Sequence, residues 1–456
     1  MIRLRCLIFV IILFSSVQTY ALTGSWRGDL IFGQMKLNLI FNFSEDNSGA
    51  TLCTIDSPSQ GARGIPTTVS FCSSDSVSIE CKAIGAAYSG RISGQSITGT
   101  FSQRGYSFPL NLAPETPVEE RRPQTPRPPF PYSVTDTVFT AADGAVMSST
   151  LTMPLLKEDM KVPVVLMVTG SGPQNRDEEI LEHRPFAVIA DWLARNGIGS
   201  LRYDDRGTAK STGDFRQATT ETFKEDAHSG ISFLRTLPQV GSVGILGHSE
   251  GGTIAFMLGA DGVPDFIISL AGMALSGKET LMMQNSHGLD LAGMGGQDKE
   301  NSLRLVEQVF DTMAEQNRNG ISKPVDVDSI LAVSGLTVNP QIVASIKMTQ
   351  KMRTPWFDAF LNLNPRVYLG DIKCPVLAIN GEKDTQVDGR SNIDVIQKYI
   401  PQAETRLLPG LNHLMQHCTT GESSEYGDIR ETISPEVLKL ISDFVKGVQP
   451  GSVCRK

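Results

Sequence analysis

The first quarter of the chain alternates apolar and polar residues with a period of two. Residues 22–113 contain four such stretches, MKLNLIFNFS, TTVSFC, DSVSIEC and QSITGTFS, and Gly, Ser and Asn stand at the breaks. Short alternating runs bounded by turn residues are typical of half-buried antiparallel strands. The pattern predicts a small antiparallel β domain, either a barrel or a sandwich.

A proline-rich segment follows this β domain. Proline recurs in APETPVEERRPQTPRPPFP too often for a helix or a sheet ladder, and such composition favours a stiff, extended chain. We therefore expect a linker, and a domain boundary, at residues 114–131.

From Tyr132 onwards, short apolar runs alternate with amphipathic helical stretches. VPVVLMVTG, IGSLRYDDRG and VGSVGILGHSEGG are such runs, as expected for buried strands of a parallel sheet covered by helices on both faces. The pattern predicts an α/β domain at residues 132–448. About a hundred residues separate the strands DFIISLAGM and CPVLAINGEKD, too many for an ordinary crossover, so residues 274–365 are interpreted as a helical cap above the strand ends.

The first 21 residues have the pattern of a secretory signal peptide: a basic tip, the apolar run CLIFVIILF and small residues before a cut after Ala21. The run is short for a membrane span, and Cys6 precedes it, so a lipid-anchored cysteine is not indicated. We expect an exported protein, periplasmic or secreted. Six cysteines remain, and Cys72 and Cys81 flank a possible hairpin that a disulfide could close.

Charge and composition exclude some function classes. The net charge is −8, and it becomes −10 without the signal peptide and its two arginines, which gives no electrostatic footprint for nucleic acid. The sequence has no Cys-x-x-Cys motif, so zinc has little support. We expect no metal and no cofactor, and the oligomeric state is left open.

The motif GHSEGG, residues 247–252, lies between a buried strand and the helical stretch TIAFMLGA. In a strand, turn and helix of this kind, glycines at 247 and 251 allow a turn that exposes Ser249 at the top of the sheet, and Gly252 allows close packing of the helix. A serine hydroxyl needs a base and an orienting acid to act as a nucleophile. In this fold the acid and then the histidine follow the serine in chain order.

The residues after Ser249 supply both partners. His413, in PGLNHLMQH, follows the last predicted strand and is preferred as the base, since His287 lies in the cap and His417 is interpreted as a surface or structural residue. Asp384 follows the strand CPVLAIN and is the predicted acid. Asp388 stands where it would cap the next helix.

Acyl transfer also requires donors for the oxyanion. The predicted donors are the backbone N–H groups of Glu250, next to the nucleophile, and of Ser171, at the apex of the loop TGSGPQNRD. The loop RYDDRGTAKSTG carries Asp204, Asp205 and Arg206, interpreted as an Asp–Arg pair that locks a loop rather than a wall of the active site. The role of the Glu250 side chain stays open.

Taken together, VTGSGPQNRD, RYDDRGTAKSTG, GHSEGG, WFDAFLNLNP, CPVLAINGEKDTQV and GLNHLMQ resemble exported α/β-hydrolases of the serine aminopeptidase-like (Hydrolase_4-like) group, close to bacterial carboxylesterases. The resemblance covers residues 132–448. It implies a mainly parallel, doubly wound sheet with a helical cap, and it implies the same trio of Ser249, Asp384 and His413. Many relatives carry His-Gly in the oxyanion loop where this chain has Thr169-Gly170, so the hydrogen bonds that shape the loop are expected to differ.

These features predict a serine hydrolase that cleaves esters of small acyl substrates through an acyl-enzyme. A peptidase of the aminopeptidase or dipeptidase type is the alternative, because amide hydrolysis uses the same residues. A protein of another class, with a β domain that binds glycan or peptide and an inert α/β domain, is disfavoured by the complete trio.

Overall fold

The computed structural model describes residues 22–32, 35–57, 62–115, 121–157, 160–321, 323–351 and 353–448. The chain forms two compact units, Met1–Arg121 and Arg122–Lys456. The signal peptide predicted at residues 1–21 lies outside the described residues, so it stays a prediction.

The first unit is one antiparallel sheet of nine strands in the order β4-β3-β2-β1-β9-β8-β7-β6-β5. The strands are β1 Gly24–Phe32, β2 Met35–Glu45, β3 Thr51–Ser57, β4 Ala62–Pro66, β5 Thr68–Cys72, β6 Ser76–Cys81, β7 Ala86–Ser93, β8 Ser96–Gln103 and β9 Tyr106–Pro114. Only Thr67 separates the two edge strands β4 and β5, and its hydroxyl donates to the Cys53 carbonyl at 2.6 Å. The sheet therefore nearly closes into a barrel around the buried Phe41, Tyr88 and Leu110, as the alternating pattern predicts.

The suggested Cys72–Cys81 disulfide is wrong, because both thiols are free. In the hairpin of β5 and β6, Cys72 lies opposite Val77, four residues before Cys81. Four residues of strand span about 13 Å, whereas bridged cysteines have Cα atoms roughly 4.4–6.8 Å apart. The hairpin register thus places the two thiols at opposite ends of the pair of strands.

The proline-rich segment departs from the expected extended linker at Arg122. The Arg122 guanidinium is buried and donates to the carbonyls of Ile429 at 2.6 Å, Leu181 at 2.8 Å and Gly427 at 2.9 Å. Gln124 adds further hydrogen bonds to the same unit. Because these contacts satisfy buried polar groups, the chain from Arg122 onwards belongs to the second unit.

The second unit is built on a sheet of eight strands in the order β10-β11-β13-β12-β14-β15-β16-β17. The strands are β10 Tyr132–Thr140, β11 Val146–Pro154, β12 Val162–Val168, β13 Gly199–Tyr203, β14 Val240–His248, β15 Ile267–Leu270, β16 Val376–Gly381 and β17 Glu404–Leu408. β11 pairs antiparallel with both β10 and β13, and all pairs from β13 to β17 are parallel. This is the α/β-hydrolase fold, as predicted.

Helices cover both faces of this sheet. They are α1 Pro185–Arg195, α2 Thr220–Arg235, α3 Glu250–Ala260, α9 Gly389–Tyr399 and α10 Pro435–Gly447. One face buries Ile231, Ile254 and Ile393 from α2, α3 and α9, and the other buries Leu193 and Ile441 from α1 and α10. Burial of both sheet faces explains why these strands are continuously apolar rather than alternating.

The insertion between β15 and β16 is helical. Its helices are α4 Gly277–Leu291, α5 Gly296–Arg318, α6 Val327–Ser334, α7 Pro340–Lys351 and α8 Pro355–Asn362. They form a core of their own, in which Leu305 and Met313 are buried. The two flanking strands pair directly, with Ile267 opposite Val376, so the chain leaves the sheet and returns to it at neighbouring points.

Candidate active site

GHSEGG forms a sharp turn from β14 into α3. Ser249 has a φ of +53°, in the left-handed region that residues other than glycine seldom adopt. A Cβ atom at Gly247 would lie 1.9 Å from the Gly251 carbonyl oxygen, and one at Gly251 would lie 2.2 Å from the Val168 oxygen. Only glycine fits either position, and the turn places Ser249 at the carboxyl end of the strand, as the elbow geometry requires.

The predicted nucleophile and base line one cavity of about 340 Å³ at the carboxyl ends of the strands. Ser249, His413 and Ser171 contribute to its wall, and Trp356 and Phe360 cover it from cap helix α8. The side chains of Ser249 and His413 are thus exposed to the same enclosed space, where a substrate carbonyl could meet both.

Asp384 and His413 form a buried pair. Asp384 follows β16, and its Oδ2 accepts a hydrogen bond from His413 Nδ1 at 2.7 Å. Its Oδ1 accepts from the backbone N–H groups of Gln386 and Val387, both at 2.8 Å. The carboxylate is therefore fixed on both oxygens, and the His413 ring is left with Nε2 for proton exchange.

The histidines and the aspartate that were not chosen as base or acid lie outside the site. His417 pairs with Glu431, and its side chain is 60% exposed. His287, on cap helix α4, pairs with Glu422 from the chain after β17. Asp388 caps helix α9 by accepting from a backbone N–H. None of these three lines the cavity that holds Ser249.

The loop after β12 offers one backbone N–H for an oxyanion. The Gly170 N–H already donates to the Glu178 carboxylate at 2.7 Å, whereas Ser171 follows at the cavity wall. Glu250 is the first residue of α3, so its N–H has no carbonyl partner within the helix. The Ser171 and Glu250 amides are therefore the pair that the geometry offers to a developing oxyanion.

A second carboxylate–histidine pair links the parts of this site. Glu178 Oε1 also accepts from His248 Nδ1 at 2.9 Å, and His248 Nε2 donates to the His413 carbonyl at 2.9 Å. The rings of His248 and His413 lie 4.8 Å apart. Glu178 thus holds the oxyanion loop through Gly170 and the histidine loop through His248.

Burial and charge act in opposite directions on His248. Burial lowers the pKa of this imidazole, but the Glu178 carboxylate, the two hydrogen bonds and the charge of Asp384 together raise it to about 8. The ring that donates to the His413 carbonyl is therefore charged at neutral pH.

The Glu250 side chain faces the cap and is only 2% exposed. Its carboxylate accepts from the Thr220 hydroxyl at 2.6 Å and from the Trp356 indole N–H at 2.9 and 3.0 Å. Burial raises the pKa of Glu250, and these donors, with the Ser171 side chain, counteract it. The residue beside the nucleophile therefore connects the elbow with cap helix α8.

The charged loop after β13 is mostly structural. Arg176 donates to both Asp204 oxygens, at 3.1 and 2.8 Å, and Arg206 forms a two-point pair with Asp226. Asp204 and Arg206 are thus each held by an Asp–Arg pair with a residue outside the loop. Asp205, which lies between them, instead accepts hydrogen bonds from the oxyanion loop.

Asp205 shapes the oxyanion loop. Its carboxylate accepts from the Thr169 hydroxyl at 2.8 Å and from the Gln174 N–H at 2.9 Å. Burial, with the nearby charges of Glu178 and Glu250, raises the pKa of Asp205 to about 8. The hydroxyl of Thr169 therefore ties the start of the oxyanion loop to the buried Asp205.

Glu178, His248 and Trp356 were not predicted from the sequence to belong to the site, and Asp205 was interpreted only as a loop-locking residue. A signal existed for His248, because a polar side chain that ends a buried strand needs a partner. The partners of the other three lie far along the chain, and nothing local identifies them.

The described residues contain no group of three or more His, Cys, Asp or Glu that could hold a metal ion. Among their helices, none is long and apolar enough to cross a bilayer.

A strained serine elbow, a buried acid–histidine pair and a capped eight-stranded sheet define an α/β-hydrolase. The family model of the X-Pro dipeptidyl-peptidases (S15 family) matches residues 143–417, more than half of the chain, and the chain belongs to this family. The esterase EstD of Thermotoga maritima is 28% identical over 147 residues, which are 32% of this chain and 35% of that protein. The chain thus matches about a third of the length of this curated relative.

Solved structures with similar chain traces include the Pyrococcus furiosus esterase Pf2001, at 15% identity and a TM-score of 0.42, covering 69% of this chain and 91% of that one. The α/β-hydrolase GrgF from Penicillium sp. sh18 is 19% identical, with a TM-score of 0.43, and covers 69% and 98% of the two chains.

Proposed function

We propose that this protein is an exported serine esterase that hydrolyses carboxylic esters of small acyl groups. Ser249 attacks the ester carbonyl, His413 takes the serine proton and returns it to the leaving alcohol, and Asp384 orients the imidazole. The amides of Ser171 and Glu250 stabilise the oxyanion. Water, activated by His413, then releases the acid from the acyl-enzyme.

The observation that carries this proposal is His413, which pairs with the buried Asp384 and lines the same cavity as Ser249. The match to an esterase over 147 residues supports esters as substrates. Membership in the serine aminopeptidase-like group and export both stay predictions from the sequence.

The test is the Ser249→Ala variant with p-nitrophenyl butyrate. Loss of the nucleophile is expected to lower kcat by about 10⁴-fold or more, and a fluorophosphonate probe should label the wild type but not the variant. Full activity of the variant would contradict the assignment, and an unlabelled wild type would favour a binding protein in which the α/β domain is inert.

Peptide hydrolysis is the second candidate, and the family match favours it. The same residues would cleave an amide, so the substrate pocket decides between the two activities. Kinetics with a panel of aminoacyl and X-Pro p-nitroanilides beside the p-nitrophenyl esters separates the two activities. Faster turnover of an X-Pro anilide than of p-nitrophenyl butyrate would make peptide hydrolysis the preferred function.

A further inference from the structure

A second and larger cavity adjoins the one that holds Ser249. It encloses about 730 Å³ between the oxyanion loop and cap helices α5, α7 and α8, within the range of small-molecule sites. The two cavities share Ser171, Leu281 and Trp356 in their walls. They therefore meet beside the candidate oxyanion site.

The lining of the larger cavity is suited to hydrocarbon. Its wall includes Val306, Val309, Phe310, Met313, Ile346 and Phe357. Polar residues also contribute to the wall. The Gln350 amide bonds the backbone of Val325, Arg353 pairs with Asp358, and Asn285 and Thr349 bond backbone carbonyls of their own helices. Arg216 is a further charged residue of this mainly apolar wall.

The position of the cavity assigns it to the acyl side of a substrate. Ser171 and Gly172 of the oxyanion loop contribute to its wall, and no residue of the histidine loop is among the described residues that do. The leaving alcohol must lie beside His413, which returns the proton to it. A chain that extends from the carbonyl towards the larger cavity is therefore the acyl chain.

Trp356 forms the boundary between the two cavities, and it is held in place. Its indole N–H donates to both Glu250 oxygens, and its ring stacks on Phe360 at 4.9 Å between centroids. Trp356 and Ser171 are therefore the residues that an acyl chain must pass to reach the larger cavity.

We infer that the cap cavity binds the acyl chain of medium-chain esters, so that these are better substrates than acetate or butyrate. This inference rests on the proposed function and extends its substrate class from small acyl groups to longer unbranched ones. Each methylene that enters the cavity is expected to raise kcat/KM by up to about fourfold, the rate equivalent of burying one CH₂.

The first experiment measures kcat/KM for p-nitrophenyl acetate, butyrate, octanoate and dodecanoate with the full chain. A rise from butyrate to octanoate is expected, and a fall or a flat profile would overturn the inference. If acetate and butyrate turn over without that rise, only the inference is wrong. If no ester turns over and no fluorophosphonate label forms, the proposed function fails with it.

The second experiment fills the cavity from helix α7. Ser345 and Thr349, both exposed residues, lie in its wall one turn apart, and Met348 on the same helix, 63% exposed, lies outside it. Ser345→Trp and Thr349→Trp should each lower kcat/KM for octanoate by about tenfold and leave acetate unchanged, and Met348→Trp should change neither. Equal loss on both esters, or loss in none of the variants, would overturn the inference.

Discussion

Ser249 combines a reactive role with an unfavourable backbone conformation. Its φ of +53° costs about 1–3 kcal/mol in a residue with a Cβ atom. The surrounding glycines and the hydrogen bond from the Ser249 N–H to the Leu270 carbonyl, at 2.9 Å, hold this conformation. The turn that points the Ser249 side chain into the cavity therefore lowers the stability of the fold.

This strain can be measured apart from activity. Ser249→Gly and Ser249→Ala both remove the nucleophile, but only glycine relieves the positive φ. We expect the glycine variant to unfold in urea with a free energy about 1 kcal/mol above that of the alanine variant. A glycine variant less stable than the alanine variant would contradict strain at Ser249, because the greater entropy of glycine in the unfolded chain would then account for the difference.

His248 should make stability depend on pH. Its folded pKa of about 8 is above the unfolded value of about 6.5, so the charged ring stabilises the fold below pH 6.5, and this contribution is lost as the pH rises through 8. Between pH 6.5 and 8 the free energy of unfolding of the wild type should fall by about 2 kcal/mol more than that of His248→Asn. Urea unfolding at pH 5.5 to 9 measures the difference.

Glu178→Gln provides the control for this pH effect. The variant removes the carboxylate that holds the pKa of His248 up, so the loss between pH 6.5 and 8 should shrink. An unchanged loss would assign the pH dependence to another group.

At the scale of elements, a hydrogen bond joins helix α8 of the cap to the buried Glu250 at the start of α3. Trp356 donates to Glu250 across 106 positions of sequence. A double-mutant cycle of Trp356→Phe and Glu250→Gln should give a coupling free energy of about 1–3 kcal/mol. Coupling near zero would mean that this hydrogen bond does not help to hold the cap on the elbow.

The strands, and the positions of the candidate site residues after the ends of those strands, could be predicted from the sequence, because both depend on local pattern. Period-two alternation identified the β domain, and continuous apolar runs identified the parallel sheet. Ser249, Asp384 and His413 follow strand ends, where chain order alone limits the choice. The Glu178–His248 and Glu250–Trp356 contacts could not be predicted, since each joins polar residues that only the tertiary fold brings together.

The hairpin cysteines illustrate the same limit. Spacing alone placed Cys72 and Cys81 within reach of each other, but the register of β5 and β6 decides which residues face each other. Register depends on cross-strand packing, which a count of intervening residues does not contain.

At the scale of the whole molecule, each unit has its own core. The first is built around residues such as Phe41 and Tyr88, and the second around its sheet and two helical layers. The chain that enters the second unit is anchored by Arg122. Residues from 122 onwards therefore contain all the proposed catalytic groups and their supports.

A fragment of residues 122–448 is expected to fold cooperatively and to hydrolyse p-nitrophenyl butyrate within about twofold of the full chain. Thermal unfolding and steady-state kinetics check this. A fragment that begins at residue 126 is the matched control, because it lacks Arg122 and Gln124 and should unfold at a lower temperature. Inactivity of a folded 122–448 fragment would assign the first unit a part in catalysis.

The insertion of the cap between two directly paired strands has an evolutionary consequence. Because the chain leaves β15 and returns at β16 beside it, a lineage could replace the whole insertion, and with it the range of substrates, without disturbing the sheet. Such a replacement would leave the Glu250 carboxylate buried without its Trp356 donor. Among homologues, positions 250 and 356 should therefore change together, even where the serine, aspartate and histidine do not change at all.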